Sequence, residues 1–486
     1  MQRNTETKPN KSIRKNMIMN VLVTLSGAVN PLIVLPYVSR VLHPAGTGRV
    51  YFAASVISVF MLLAQMGIPV YGIRTCARVR DHRAELSRTA SSIMGFQLLF
   101  SAGSFVLLIL AAFTIPRLQP QRVLLILMGL GVLLNGINTD WLFQGLEEYP
   151  FLTGRSVFFK LASAGAILLF TRSPEDYMVY GALTMVPPAA ASIYNLFFLK
   201  RHIDLRIAGP GESLGHLGPA LHFFLLTAMT TVYTNLDMLM LGSIGGDAEA
   251  GYYGTAVKIK LGLVNLMIAG VSVLMPRISY LAETGETSEF RRTIARAVSV
   301  CLILASGASV LFAIFAEDSI LLLAGRDFGP AVAPMKVIMF TLIPIGLSQI
   351  LGMEVLIPLG RENQVILGAA AGAGVDVVLN LFLIPSMGAT GAAISTLISE
   401  AVVLAFIISG VKKEGPLLGE IPADALLLMI FAGLLPGSLA GLLGHAFCHS
   451  MGASELILFL GEIIPFLLIY GIISFFAYTK FLRKKL

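Results

Sequence analysis

The sequence predicts an all-α polytopic membrane protein with about fourteen transmembrane helices, and three observations predict it. Of its 486 residues 56% are hydrophobic and 13% charged, against about 25% charged in soluble domains. Apolar runs recur from Asn16 to Tyr478, broken only by short polar segments. Nearly all of these runs reach the roughly 20 residues that a helix needs to cross a bilayer, and they lack the alternation of barrel strands. No room is left for a soluble catalytic domain.

The helices are expected at 16–38, 49–72, 91–114, 122–144, 156–172, 177–199, 218–243, 251–276, 296–316, 332–357, 363–385, 389–410, 424–444 and 455–479. A basic arm, 1–15, precedes the first, which is too long for a signal h-region and lacks a small-residue cleavage site. The first helix carries Asn20, Thr24 and Gly27 on one stripe and is expected to kink at Pro31, with Pro36 a turn later. The fifth is short and can extend back toward Phe151. The seventh carries Thr230, Thr234 and Asp237 on one face, and the eighth a small and polar stripe of Gly251, Thr255, Lys258, Gly262, Asn265, Ala269 and Ser272. Lys260 lies about 200° round from Lys258, on a face continued by Val264, Met267 and Val271. Lys258 is therefore expected in a wet interior and Lys260 to snorkel to the outer interface. Asp237 and Lys258 fall at similar depth and are candidates to pair.

Lysine and arginine fix the expected orientation. With the N-terminus inside, cytoplasmic segments hold about 26 of them and the opposite side about 7. Both termini are then cytoplasmic, in an inner or plasma membrane. The net charge of +7 reflects this topology rather than a nucleic-acid partner. Cys76, Cys301 and Cys448 lie far apart, so neither a metal site nor a disulfide framework is expected, and no cofactor motif occurs.

A repeat is visible. Gly48 and Arg74 recur as Gly251 and Arg277, Arg155 as Arg361, and Gly181-Ala182 as Gly391-Ala392. Six helices repeat six in the same orientation, an arrangement used by transporters with the substrate path between halves. The expected division is a basic arm (1–15), an N-lobe (16–206), a C-lobe (207–410), and two extra helices with a basic tail (411–486).

Ionisable residues at bilayer depth each need a reason, since insertion costs roughly 2.5–3.5 kcal/mol. The cavity candidates are Lys258, Asp237, Thr234, Asn265, Thr255, Asn20, Thr24 and Asp376. Small-polar stripes also let membrane helices pack closely, so each has a structural alternative. Asp140, Glu354 and Glu400 lie near helix ends, where water or a neighbouring cap serves them, and Glu462 lies outside the repeat. Arg74 and Arg277 emerge on the cytoplasmic side as topology anchors or as gate and phosphate contacts, since guanidinium binds phosphate in a bidentate fork. Arg40 and Arg49 join them as candidates on the other side.

Particular residues carry a resemblance. Pro36-Tyr37-Val38-Ser39-Arg40-Val41-Leu42, Gly46-Thr47-Gly48, Tyr71-Gly72-Ile73-Arg74 and Arg80-Asp81 resemble the N-terminal signature of the polysaccharide transporter family. These are the Wzx-like O-antigen, capsule or teichoic-type flippases of the multidrug/oligosaccharidyl-lipid/polysaccharide superfamily. Leu236-Asp237, Gly251-Tyr252-Tyr253, Pro276-Arg277-Ile278-Ser279 and the stretch from Gly388 to Glu400 agree with it. The resemblance implies two six-helix lobes forming a V around a central cavity, plus two C-terminal helices. It also implies alternating access and a polyprenyl-(pyro)phosphate-linked oligosaccharide as cargo, moved from the cytoplasmic to the outer leaflet. Transport without ATP points to an ion gradient, H+ or Na+, and a monomer in the lipid bilayer is favoured. The alternative is a multidrug or small-metabolite antiporter on the same fold. An envelope glycosyltransferase or polymerase is disfavoured by the short loops.

Overall fold

The computed structural model describes residues 13–206, 209–272, 278, 281, 287–413, 423–451, 454–477 and 479, with side chains described from Ile33 onward apart from scattered positions. Its α-helices are α1 (Ile13–Gln65), α2 (Ile68–Val79), α3 (Arg83–Thr114), α4 (Arg122–Leu134), α5 (Asp140–Gly145), α6 (Tyr149–Phe170), α7 (Tyr177–Thr184), α8 (Val186–Leu199), α9 (Pro210–Leu214), α10 (Leu217–Ile244), α11 (Asp247–Ser272), α12 (Thr287–Ile314), α13 (Ala316–Ala324), α14 (Val332–Ile338), α15 (Leu342–Ser348), α16 (Glu362–Lys413), α17 (Ala423–Ser450) and α18 (Glu455–Ala477). Among the described residues there is no strand.

Among the described residues, ten stretches are long and apolar enough to cross a membrane. Two of them, Ile33–Val79 and Glu362–Lys413, are 47 and 52 residues long, far more than one crossing needs. The 28-residue α10 and 26-residue α11 bring the total into accord with about fourteen.

The breaks follow backbone chemistry. In α1 the non-helical torsions fall at His43 (φ 56, ψ 175), not at the expected Pro31. His43 precedes Pro44, whose missing N–H and ring bulk disfavour helix at that point. The expected helix 49–72 is interrupted at Met66 and Gly67, both at positive φ. The expected helix 122–144 gives way after Leu134 to a 3-10 turn, Asn135–Ile137, before the separate α5. Pro187 and Pro188 sit in the first turn of α8 and separate it from α7. The run 332–357 is broken into short α and 3-10 pieces and a π-helical stretch, Gln349–Leu356. Conversely, the expected helices 363–385 and 389–410 run together as α16, with a kink at Gly388 (φ 53).

The chain divides into two compact units. Among the described residues, one gathers those up to Asn30, Val56–Phe170 and Met178–Thr231; the other gathers Pro31–Ser55, Thr171–Tyr177 and those from Val232 onward. The core of the first includes Ile68, Ile93, Phe96, Trp141, Leu142 and Leu199. The second has a core of Leu35, Leu241, Tyr253, Ile259, Phe328, Met335 and Leu342. A further cluster of Leu311, Phe315, Phe466 and Tyr470 secures α17 and α18.

Inside the second unit the repeat has a physical counterpart. A Cβ on Gly48 would lie 1.7 Å from the Asp247 carbonyl oxygen, and one on Gly251 would lie 2.0 Å from that of Pro44. Pro44 and Asp247 are themselves equivalent in the repeat, so the contact is reciprocal. Both positions require glycine because backbone meets backbone there.

Candidate functional site

The second unit holds a buried polar cluster built by three helices. Asp237 projects from α10, Tyr253 from α11, and Asp376, Asn380, Ser395, Thr396 and Ser399 from the two arms of α16. The Tyr253 hydroxyl donates to Asp237 Oδ2 at 2.7 Å, and the Thr396 hydroxyl lies 2.8 Å from the same oxygen. Asn380 Nδ2 donates to both carboxylates, at 2.7 Å to Asp237 Oδ1 and 3.1 Å to Asp376 Oδ2. Ser395 Oγ donates to Asp376 Oδ1 at 2.8 Å. Asn380 Oδ1 is buried and, among the described residues, has no hydrogen-bond partner. Lys260 is buried beside the cluster, and the carboxylates acting on it are Glu400, Asp237 and Asp376.

This overturns two expectations. Lys260 does not snorkel outward; its side chain is buried, while Leu261 and Leu266 are exposed positions of α11. The apolar face that carries Lys260 packs inward, with Ile259, Val264 and Met267 in core clusters. In a membrane an apolar face serves the interior as readily as the lipid, so composition alone misassigned it. Asp237 is held by Tyr253, Thr396 and Asn380 in place of the expected Lys258. Lys258 is half-buried with its Nζ over the Tyr51 ring, 4.4 Å from the centroid.

The other predicted residues are placed as follows. Thr255 is fully buried, and its neighbour Gly254 abuts Tyr51, so this end of the stripe is a helix contact. Asn265 is half-buried and Thr234 exposed. The side chains of Asn20 and Thr24, and all of Arg277, lie outside the described residues. Arg74 is exposed with its guanidinium over the Phe223 ring at 5.2 Å. Arg40 donates to the carbonyls of Pro36 (2.7 Å) and Leu322 (2.6 Å) and borders a recess of about 210 Å³ with Arg326, Asp327 and Glu455. Arg49 meets Asp247 at 3.0 Å and lies over the Tyr177 ring.

The first unit has its own buried polar group, which sequence reasoning missed. Arg155, buried on α6, donates to Asp140 Oδ1 at 3.0 Å, to the Ala191 carbonyl at 3.1 Å and to Asn195 Oδ1. Asn195 Nδ2 donates to Asp140 Oδ1 at 2.7 Å. Closer to the helix ends, His216 lies between Tyr71 Oη and Ser92 Oγ, each 2.7 Å from a ring nitrogen. Arg83 holds the exposed Asp204 carboxyl below its ordinary range, and Arg88, with Arg206, does the same for Glu212.

A nearly all-helical chain with a buried carboxylate pair matches known membrane proteins in sequence and fold. The family model described as polysaccharide biosynthesis protein matches residues 13–282, more than half of the chain. The chain belongs to the polysaccharide biosynthesis protein family. A second family model, lipid II flippase MurJ, matches residues 156–461. A putative O-antigen transporter of Shigella dysenteriae is 23% identical over 407 residues, covering 82% of this chain and all of the relative. Among solved structures, lipid II flippase MurJ in an inward closed conformation superposes with a TM-score of 0.74 at 14% identity, over 97% of this chain and 100% of that one. An inward-facing multidrug resistance MATE family transporter gives 0.61 at 13% identity, over 82% of this chain and 96% of that one. These two likenesses concern the fold.

Proposed function

We propose that this polysaccharide biosynthesis protein is a flippase that carries a polyprenyl-(pyro)phosphate-linked oligosaccharide from the cytoplasmic to the outer leaflet by alternating access of its two lobes. The observation that carries the proposal is the match of 82% of this chain to the whole of a putative O-antigen transporter, joined to a fold with no soluble catalytic domain among the described residues. The expected location is the inner or plasma membrane, with both termini cytoplasmic. Thr234, Asn265 and Lys258 are assigned to the glycan, with Arg74 and Arg277 to its phosphate.

The Asp237–Asp376 cluster is assigned to the coupling cation. Two carboxylates, a hydroxyl and the unanswered Asn380 Oδ1 form a set of hard oxygen donors, which suits Na+ or a proton. Asp237, Asp376, Asn380 and Thr396 would hold the ion, which would neutralise like charges that otherwise face each other at bilayer depth.

Deletion of the gene should leave lipid-linked glycan on the cytoplasmic leaflet, and the wild-type chain should restore export. Normal export in the deletion strain would remove the proposal. Arg74→Lys separates recognition from anchoring, since lysine keeps charge but loses the fork. The fold match to a multidrug transporter supports a second reading, a cation-coupled antiporter. Changed drug resistance with unchanged glycan export would favour it.

A further inference from the structure

The last two helices carry a second cluster, unrelated to the cargo residues. Helices α17 and α18 pack along each other, and α18 also packs on α13. Where these three meet, His445 Nδ1 lies 2.5 Å from Glu462 Oε1 and 3.8 Å from Asp318 Oδ2. The three candidate ligand atoms all lie within 4.8 Å of one another. Glu462 has no exposed surface, and among the described residues its Oε2 has no hydrogen-bond partner. His449, one turn further along α17, stacks on His445 with ring centroids 5.9 Å apart.

With both carboxylates ionised, the charge count does not close with protein groups alone. A single imidazole carries at most one positive charge, against two carboxylates of which one is wholly enclosed. An enclosed carboxylate oxygen without a donor is costly. One imidazole nitrogen with two carboxylate oxygens is a donor set suited to zinc and its first-row neighbours. Calcium and magnesium are disfavoured, because they seek six or more oxygens and no nitrogen. Asp318, His445 and Glu462 come from three helices, so a shared ion would tie all three together.

We propose that Asp318, His445 and Glu462 bind one divalent transition-metal cation of the zinc class, which clips α17 and α18 to α13. His445 binds through Nδ1 and keeps its proton on Nε2. The metal takes the place of any proton shared between His445 and Glu462, so binding releases protons. With bonds of about 2.0–2.1 Å, the ligand atoms stand about 3.3 Å apart; His445 therefore moves away from Glu462 and toward Asp318.

The test uses the full chain in detergent, without a polyhistidine tag, stripped with EDTA and dialysed. Titration with Zn2+ should give one ion per chain and raise the thermal unfolding temperature. Titration with Co2+ should give the visible absorption of a nitrogen- and oxygen-bound low-symmetry site. His445→Ala, and the near-isosteric Glu462→Gln and Asp318→Asn, should each weaken binding by about tenfold or more. If the alanine variant fails to fold, the two isosteric variants carry the test. Unaltered Zn2+ affinity in Glu462→Gln and Asp318→Asn would overturn the site. So would a wild-type chain whose stability follows pH in EDTA but ignores Zn2+, which would mean that a proton alone bridges the carboxylates.

Discussion

The two buried polar groups of the transmembrane core solve opposite problems. In the first unit one guanidinium faces one carboxylate, with Asn195 and a carbonyl as further acceptors, although Arg155 Nε has no hydrogen-bond partner among the described residues. Every strong charge there is matched, as a structural lock requires. In the second unit Asp237 and Asp376 are joined through a single amide, with Lys260 beside them and an amide oxygen left over. The comparison teaches that burial alone does not mark a functional site. The mark is a buried group whose charges are not balanced by the protein itself.

The largest effect is expected on the closed side. Arg155→Ala strands Asp140 and Asn195 and should destabilise the protein by about 3–5 kcal/mol, read as lost abundance and a lower unfolding temperature in detergent. Adding Asp140→Asn should recover part of the loss. A variant as stable as wild type would break the comparison at its first term.

On the open side, Asp237→Asn and Asp376→Asn keep the volume and most hydrogen bonds. Each should cost less than the roughly 1.5–3 kcal/mol assigned to hydrogen bonds of a charged group, while glycan export falls by about tenfold or more, equivalent to roughly 1.4 kcal/mol or more. Dependence of export on Na+ or on pH should flatten in these variants. If abundance falls as much as export, the cluster is a lock as well.

The lysines sharpen the contrast further. Lys260→Met removes a buried cation on which both carboxylates act and should lower abundance more than Lys258→Ala. The latter gives up a cation–π contact of about 0.5–1 kcal/mol. The reverse order would restore the helical face expected from sequence.

The smallest effect belongs to the exposed pairs. Asp204→Asn should shift unfolding only slightly at neutral pH. Because Arg83 lowers the Asp204 pKa, its contribution is present above the ordinary aspartate range. It fades as pH falls through the lowered value, so the variant and wild type should converge in acid.

The helical class and most spans were legible because they follow from composition and length. Breaks were legible where proline announced them, as at His43 before Pro44, inside the expected gap 39–48, but Met66 and Gly67 interrupt a run whose hydropathy is continuous. Asp237 and Asp376 stood out as charges in apolar segments. Their shared shell did not, because Asn380 and Thr396 lie 143 and 159 positions from Asp237 and meet it only after α10 and α16 pack. The spacing of Asp376 and Asn380, one turn apart, was the available signal. The sides of α11 were misread for a physical reason: lipid and protein interior are equally apolar, so periodicity separates faces without saying which one turns inward.

The reciprocal contact of Gly48 and Gly251 has a consequence for tracing kinship. Neither residue has a side chain to offer a ligand, and neither tolerates one, since the obstacle in each case is the other arm's main chain. Drift at one position is therefore barred by geometry that the other position helps to impose. Two glycines 203 residues apart should act as paired landmarks of an ancient duplication, usable to align the halves of distant relatives after most of the surrounding sequence has changed.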